Sequence, residues 1–468
     1  MSIFSNKSQL YSEHIAAINE TGDVLTYQDL GEFSARVSSL LEKRTLVCCL
    51  CENTIAAMSG YFAFVENEIV PIMIDGSIDK DLLENICTVY EPEYIWMSSD
   101  RSDLFASRDI VFSFDNYSLI RIGQKARFPL HDDLAVLLST SGSTGSPKFV
   151  RVSYANLKAN ADSIAEYLGI QSLDRPVTTL PMSYSYGLSI INSHLIQGAT
   201  ILLTTKSVIE RDFWNFIKDQ RATSLSGVPY TFEILKKLRF FKMDLPHLKT
   251  LTQAGGKMHN ELSQEFSHFC QDNGKKMFFM YGQTEATARM SYLAPNESIS
   301  KLGSIGIAIP GGDFSLVDDQ GHVVNQSNES GELVYKGKNV SMGYASGAQD
   351  LIRGDENCGV LMTGDLALRD DDGFYYIVGR KKRFIKLYGN RINLDETEQL
   401  IKSITPSVAC AGYDGKMTIY LTDEKFKDQV RSFISKKTGI NMRGFDIKII
   451  DEIPKTSSGK TIYGNLPV

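Results

Sequence analysis

The stretch Thr140-Ser141-Gly142-Ser143-Thr144-Gly145-Ser146-Pro147-Lys148 limits what this chain can fold into more than any other segment. Small residues let the backbone turn tightly enough for several N–H groups to converge on an anion. The hydroxyls and the Lys148 ammonium add side-chain donors. The preceding run, Leu134-Ala135-Val136-Leu137-Leu138, reads as a buried strand. A strand followed by a Gly/Ser/Thr loop is the setting of a phosphate cradle, although a flexible surface loop has the same composition. The stretch does not follow the Walker pattern, which needs GxxxxGK and then Ser or Thr.

At 468 residues the chain exceeds what one hydrophobic core supports, so two or more domains are expected. With 43% hydrophobic and 22% charged residues, the composition is that of a globular protein. A net charge of −7 argues against nonspecific nucleic-acid binding, and no basic run faces a membrane. No apolar run is long enough to span a bilayer, and Met1–Lys7 lacks a signal-peptide pattern. Seven cysteines in a chain of this length do not suggest a disulfide framework. Cys48 and Cys51 form a CxxC, but inside the apolar run Leu46–Cys51 and with no second pair or nearby His. Core thiols are the better reading than a metal site, and a cytoplasmic location fits.

Apolar β-rich runs alternate with helical stretches: Ala199–Leu203, a helix around Glu210–Asp219, Ser224–Val228, a helix opened by Pro229, then Leu248–Thr252. This alternation predicts α/β layers with parallel strands. Arg369-Asp370-Asp371-Asp372-Gly373 reads as a hairpin turn before the strand Phe374–Val378. A basic break follows at Gly379–Arg383 and suggests a boundary at Lys382, with a large domain over 1–381 and a small α+β domain over 383–468. In the latter, Phe426, Val430, Phe433 and Ile434 are at helical spacing, with Thr422 or Asp423 as start and Gly439 as stop.

Five further blocks run from residue 281 to the C-terminal region: Tyr281-Gly282-Gln283-Thr284-Glu285, Thr363-Gly364-Asp365, Gly379-Arg380 through Ile385-Lys386, Gly389 with Arg391-Ile392, and Pro454-Lys455-Thr456-Ser457-Ser458-Gly459-Lys460. Together with Thr26-Tyr27-Gln28-Asp29-Leu30 and the 140–148 loop, their order resembles the adenylate-forming superfamily over nearly the whole chain. That superfamily comprises acyl- and aryl-CoA synthetases, peptide-synthetase adenylation domains and luciferases.

The resemblance implies an α/β fold, with a large N-terminal domain of layered α/β subdomains and a small mobile C-terminal domain. It implies an acid–thiol ligase that uses ATP and Mg2+ to make an acyl-adenylate. Two anions must then meet, so catalysis consists of neutralising phosphates and aligning reactants. By resemblance, Thr140, Ser141, Gly142, Ser143, Thr144, Gly145 and Lys148 bind the β- and γ-phosphates. Glu285 holds Mg2+, Thr284 donates to the α-phosphate, and Tyr281 with Gly282 packs at the adenine beside Gly255 and Gly256. Asp365, an acceptor-only carboxylate, suits a ribose diol, with Arg380 as a second contact. Lys460 is the catalytic lysine, carried by the small domain to the substrate carboxylate and α-phosphate. Lys382 occupies the hinge position and Gly389 the thiol tunnel. Tyr184, Ser185, Tyr186 and Gly187 align with the block that lines the acyl pocket, though the tyrosines equally suit packing.

Some positions depart from the family pattern. The family's Ile-x-Arg after the lysine is Thr461-Ile462-Tyr463 here, and the small domain is abbreviated. The pocket block lacks the aspartate that pairs with an α-amino group. No carrier domain is visible, so the acceptor, CoA or an acyl or peptidyl carrier protein, comes in trans. An amine or hydroxyl acceptor is one alternative, and a catalytically inactive nucleotide-binding subunit is another. Which carboxylic acid is used, fatty, aryl or amino, is left open.

Overall fold

The computed structural model describes the chain apart from residues 1–2, 5–9, 106–107, 125–127, 140–147, 388–389, 414, 439–440, 442–443, 456–460 and 468. By packing it divides into two units, residues 1–313 with 336–361, and residues 314–335 with 362–468.

The first unit is built on two large sheets. In one, the strands Leu46–Cys51, Val70–Asp75, Tyr94–Ser98 and Leu134–Ser139 form a parallel centre, flanked by antiparallel strands including Phe149–Ser153 and Gly343–Ala345. The other has a parallel centre containing Pro176–Val177, Ile201–Leu203, Ser224–Gly227, Thr250–Gln253 and Lys276–Tyr281. Central strands covered on both faces read as continuous apolar runs. Every residue of Leu46–Cys51 is accordingly buried, Cys48, Cys49 and Cys51 included, which makes them core thiols. Arg211–Asp219 and Pro229–Lys237 are the helices expected between these strands, the second with its proline in the first turn.

The Thr-Tyr-x-x-Leu element has a direct physical explanation. Thr26 caps the helix Tyr27–Leu40 in a reciprocal box with Asp29. The buried Tyr27 hydroxyl donates to the Ala199 carbonyl at 2.8 Å, and Leu30 is fully buried. The helix is thus pinned to the second sheet at its first turn.

Gly312–Val317, Ser330–Gly337, Val360–Arg369 and Tyr375–Arg380 form a four-stranded sheet in that order, most of whose residues belong to the second unit. The last two strands make the hairpin read at Arg369–Gly373. Beyond it lie the helices Leu394–Lys402 and Lys427–Thr438 and a sheet of Val408–Tyr413, Lys416–Leu421 and Phe445–Ile449. Val430 and Ile434 supply the buried stripe of the second helix, and its expected stop, Gly439, lies outside the described residues. Among the described residues, no helix is long and apolar enough to cross a membrane.

Candidate active site

Strand Lys276–Tyr281 ends in the Tyr281–Glu285 block, and the chain returns antiparallel as Ser291–Leu293. The reversal is tight: a side chain on Gly282 would put Cβ 1.7 Å from the Ala288 carbonyl oxygen. Glycine is therefore required by close approach of backbone to backbone. Thr284–Ala286 forms one 3-10 turn, and Thr287 and Ala288 follow in left-handed conformations at φ 56° and 102°. Such conformations cost free energy and persist where the surroundings over-determine them.

Those surroundings come from distant segments. Asn339 Nδ2 donates to the carbonyls of Ala286 at 2.8 Å and Arg289 at 3.0 Å, while Thr287 Oγ1 donates to the Asn339 carbonyl at 2.7 Å. Asn160 Nδ2 gives the Arg289 carbonyl a second donor at 2.9 Å. The Ser341 N–H donates to the Glu285 carbonyl at 2.9 Å. Tyr344 then donates its hydroxyl to Glu285 Oε1 at 2.6 Å, and Lys148 Nζ stands 3.5 Å from the centroid of the same tyrosine ring. Burial and the neighbouring Glu285 charge push the Tyr344 phenol far up, so it remains a protonated donor. One carboxylate oxygen is thereby held, leaving the other available to an outside ligand.

Tyr344 is itself placed by Arg151, whose buried guanidinium donates to the carbonyls of Tyr344 at 3.1 Å and Met342 at 2.9 Å. It also bonds the Arg353 carbonyl and pairs with Glu356. Arg151 lies on the strand that follows the 140–148 loop, so one residue ties that strand to the segment carrying Tyr344.

Two residues past the neighbouring strand Thr250–Gln253, Gly255 has φ 83°, and a Cβ there would lie 2.8 Å from the Tyr184 hydroxyl. A Cβ on Gly256 would come within 3.2 Å of Pro229. Tyr184 meets Tyr186 edge to face at 6.2 Å, and the Tyr186 hydroxyl lies 2.9 Å from Thr252 Oγ1. Ser185 Oγ lies 3.1 Å from Thr284 Oγ1, which joins the pocket block to the Tyr281–Glu285 block. Gly187 has another role: its Cβ would sit 2.2 Å from the Pro181 carbonyl oxygen, so glycine here permits the chain to pass Pro181.

In the second unit, Asp365 and Arg380 are direct cross-strand partners, with Arg380 Nε 3.3 Å from Asp365 Oδ1. Asp365 is buried and follows Gly364 at φ 71°. Lys382 lies on the 3-10 turn Lys381–Arg383. Its neighbour Arg383 pairs with Asp395 and Glu398, each at 2.6 Å, and lies 3.7 Å from the centre of the Tyr463 ring. The Tyr463 hydroxyl completes this cluster by donating to Glu398 at 3.0 Å. Lys455 and Thr461 pair as an isolated antiparallel bridge, so the two ends of the segment that carries Lys460 are joined.

The structure therefore brings Lys148, Glu285, Thr284 and Ser185 together, with Tyr184 against Gly255, and separately Asp365 with Arg380. Thr140, Ser141, Gly142, Ser143, Thr144, Gly145, Gly389 and Lys460 lie outside the described residues. Asn160, Arg151, Asn339, Tyr344 and Arg383 were not singled out from sequence. Each acts through partners far along the chain, and none sits in a local pattern that marks it.

Residues 4–345 match the AMP-binding enzyme family. The chain is 33% identical over 285 residues to the 2-succinylbenzoate–CoA ligase of Bacillus licheniformis, a match covering 61% of this chain and 57% of that protein. It is 28% identical over 375 residues to 4-coumarate–CoA ligase-like 8 of Arabidopsis thaliana, covering 74% of this chain and 64% of that one. These matches thus span less than two thirds of either relative. In fold it is similar to the o-succinylbenzoate CoA synthetase of Bacillus subtilis solved with its acyl-adenylate intermediate: TM-score 0.79, 22% identity, 99% of this chain and 97% of that one. The same synthetase solved with ATP and magnesium ion gives a TM-score of 0.76 at 22% identity, over 99% of both chains. The layered α/β architecture, the block order and the family match agree: this chain belongs to the AMP-binding enzymes of the adenylate-forming superfamily.

Proposed function

We propose that the chain joins a carboxylic acid to AMP and then transfers the acyl group to the thiol of CoA, or of a carrier protein, supplied in trans. The observation that carries this reading is the Lys148–Tyr344–Glu285 arrangement beside Thr284: a cation, a held carboxylate and a hydroxyl, at the end of parallel strands. In the first step a substrate carboxylate oxygen attacks the α-phosphorus of ATP, the Pα–O bond to pyrophosphate breaks, and no proton need move. In the second a thiolate attacks the acyl carbonyl and AMP leaves.

The residues present suit Mg2+, a hard cation commonly held by one or two carboxylates together with phosphates and water. Glu285, with one oxygen fixed by Tyr344 and Thr284 beside it, would hold it. When bound, the ion supplies neutralisation of phosphate charge. Lys148 and residues 140–145 would bind the β- and γ-phosphates, Thr284 the α-phosphate, Tyr281, Gly282, Gly255 and Gly256 the adenine, and Asp365 with Arg380 the ribose. Lys460 would place its charge between the two repelling anions, with Lys382 as pivot and Gly389 at the thiol path. Seven free cysteines fit a reducing cytoplasm.

The test is carboxylate-dependent exchange of labelled pyrophosphate into ATP across fatty, aryl and amino acids, followed by product analysis with CoA and with carrier proteins. Exchange without thioester, with amide or ester formed instead, would replace the acceptor. No exchange with any acid would overturn the reading.

A further inference from the structure

Arg289 follows the Tyr281–Glu285 loop, and 2% of it is exposed. Its Nε donates to Ser189 Oγ at 3.1 Å and its Nη1 to the Tyr167 hydroxyl at 3.1 Å, with Met280 Sδ at 3.3 Å. The guanidinium carbon lies 4.9 Å from the centroid of the Tyr186 ring. Among the described residues, Nη2 has no hydrogen-bond partner and no carboxylate lies within ion-pair distance of this guanidinium.

Arginine stays charged in proteins, so it cannot escape burial by losing its proton. A buried cation is ordinarily matched by an anion, because desolvation is otherwise uncompensated. Among the described residues the other deeply buried arginine, Arg151, obeys this: its donors go to carbonyls and to the Glu356 carboxylate. At Arg289 an aromatic face and two neutral oxygens offset part of the cost, and Nη2 finds no protein partner among the described residues. The location says what would supply the missing charge. Tyr186 belongs to the block read as the acyl pocket, and Ser189 lies one helical turn beyond Ser185, whose hydroxyl meets Thr284. An unmatched positive charge is thus packed against the ring of Tyr186 and the hydroxyl of Ser189, next to that block.

We propose that Arg289 sets specificity by pairing with a second carboxylate on the acid being activated, so that the substrate class is dicarboxylic. This rests on the adenylation reading above. One carboxylate of the substrate enters the adenylate, and the other completes the guanidinium. An acid with a methyl-capped tail would bury Nη2 unpaired, and a site with an unmet donor rejects such an analogue.

The experiment is pyrophosphate exchange with pairs of acids of equal length, one dicarboxylic and one methyl-capped, on the full-length protein, R289Q and R289K. The wild type favours the diacid by about 10- to 100-fold in kcat/KM, the worth of one charge-assisted hydrogen bond. R289Q loses most of that preference through KM for the diacid, while its kcat/KM for the capped acid changes by less than about threefold. R289K, which keeps the charge, restores part of the preference. Equal loss for both acids, or no preference in the wild type, overturns the proposal. If no acid supports exchange, the adenylation reading fails, and calorimetric binding of the same acids decides separately. Diacid binding abolished in R289Q and retained in R289K upholds the anion site; absence of diacid binding to the wild type refutes it.

Discussion

Asn339 offers a quantitative test of how the catalytic loop is held. Its amide donates to two buried carbonyls, Ala286 and Arg289, on either side of the left-handed Thr287–Ala288 pair. In Asn339→Ala the Ala286 carbonyl loses this donor, a cost of about 1–3 kcal/mol for a buried unmet acceptor. The Arg289 carbonyl keeps Asn160, so its loss is limited to about 0.5–1.5 kcal/mol. Together these come to about 1.5–4.5 kcal/mol, and the Thr287 bond to the Asn339 backbone survives because it does not use the side chain. Asn339→Asp is nearly isosteric yet turns a carboxylate oxygen toward two carbonyl oxygens, so it is more damaging than alanine despite the smaller change in shape. Urea denaturation gives the stability of each variant, and pyrophosphate exchange reports whether Thr284 and Glu285 keep their aim. Both fall in the order wild type, Asn339→Ala, Asn339→Asp. An alanine variant within about 0.5 kcal/mol of the wild type and fully active, or an aspartate variant milder than alanine, would refute the reasoning.

Tyr344→Phe removes the hydroxyl that holds Glu285 while keeping the ring under Lys148; the Mg2+ concentration giving half-maximal ATP binding should rise about tenfold, and an unchanged magnesium titration contradicts this role. Arg383→Met strands Glu398 and Asp395 and should cost about 3–5 kcal/mol, because a buried pair broken on one side leaves an unmet charge; hydrogen exchange in Val408–Tyr413 unaffected by the change would argue against it. His194 is buried, and burial lowers its pKa from 6.5 to about 4. The unfolded chain then binds more protons between those values, so stability present above pH 6.5 is lost progressively as pH falls toward 4. In His194→Gln that part of the pH dependence disappears, and an identical acid-unfolding profile would show that His194 does not contribute.

Much of the fold could be read from the sequence because it is locally encoded. Apolar runs such as Leu46–Cys51 and Leu134–Leu138 became central strands, Pro229 opened a helix, and the Arg369–Gly373 turn joined two strands. The Tyr281–Glu285 block stands out in sequence for a reason the structure supplies: Gly282 is needed where backbone meets Ala288. Gly187 falls in the block that resemblance assigns to the acyl pocket, yet its closest demand comes from Pro181. The brackets around the site were not legible. Asn339 acts about fifty residues from its carbonyl partners and Arg151 about two hundred from Tyr344 and Glu356, and neither sits on a periodic face. Tyr463 looked like a missing arginine; in the structure Arg383 brings a guanidinium to it from eighty residues earlier in the chain.

The central claim is that a carboxylate oxygen becomes bonded to the α-phosphorus, and isotope transfer tests it most directly. With acid labelled by 18O in the carboxylate, ATP and thiol acceptor, the account predicts AMP carrying one heavy oxygen and a thioester retaining the other. Label in orthophosphate alongside ADP would mean attack at the terminal phosphorus, and unlabelled nucleotide would mean no acyl-adenylate forms; either result contradicts it.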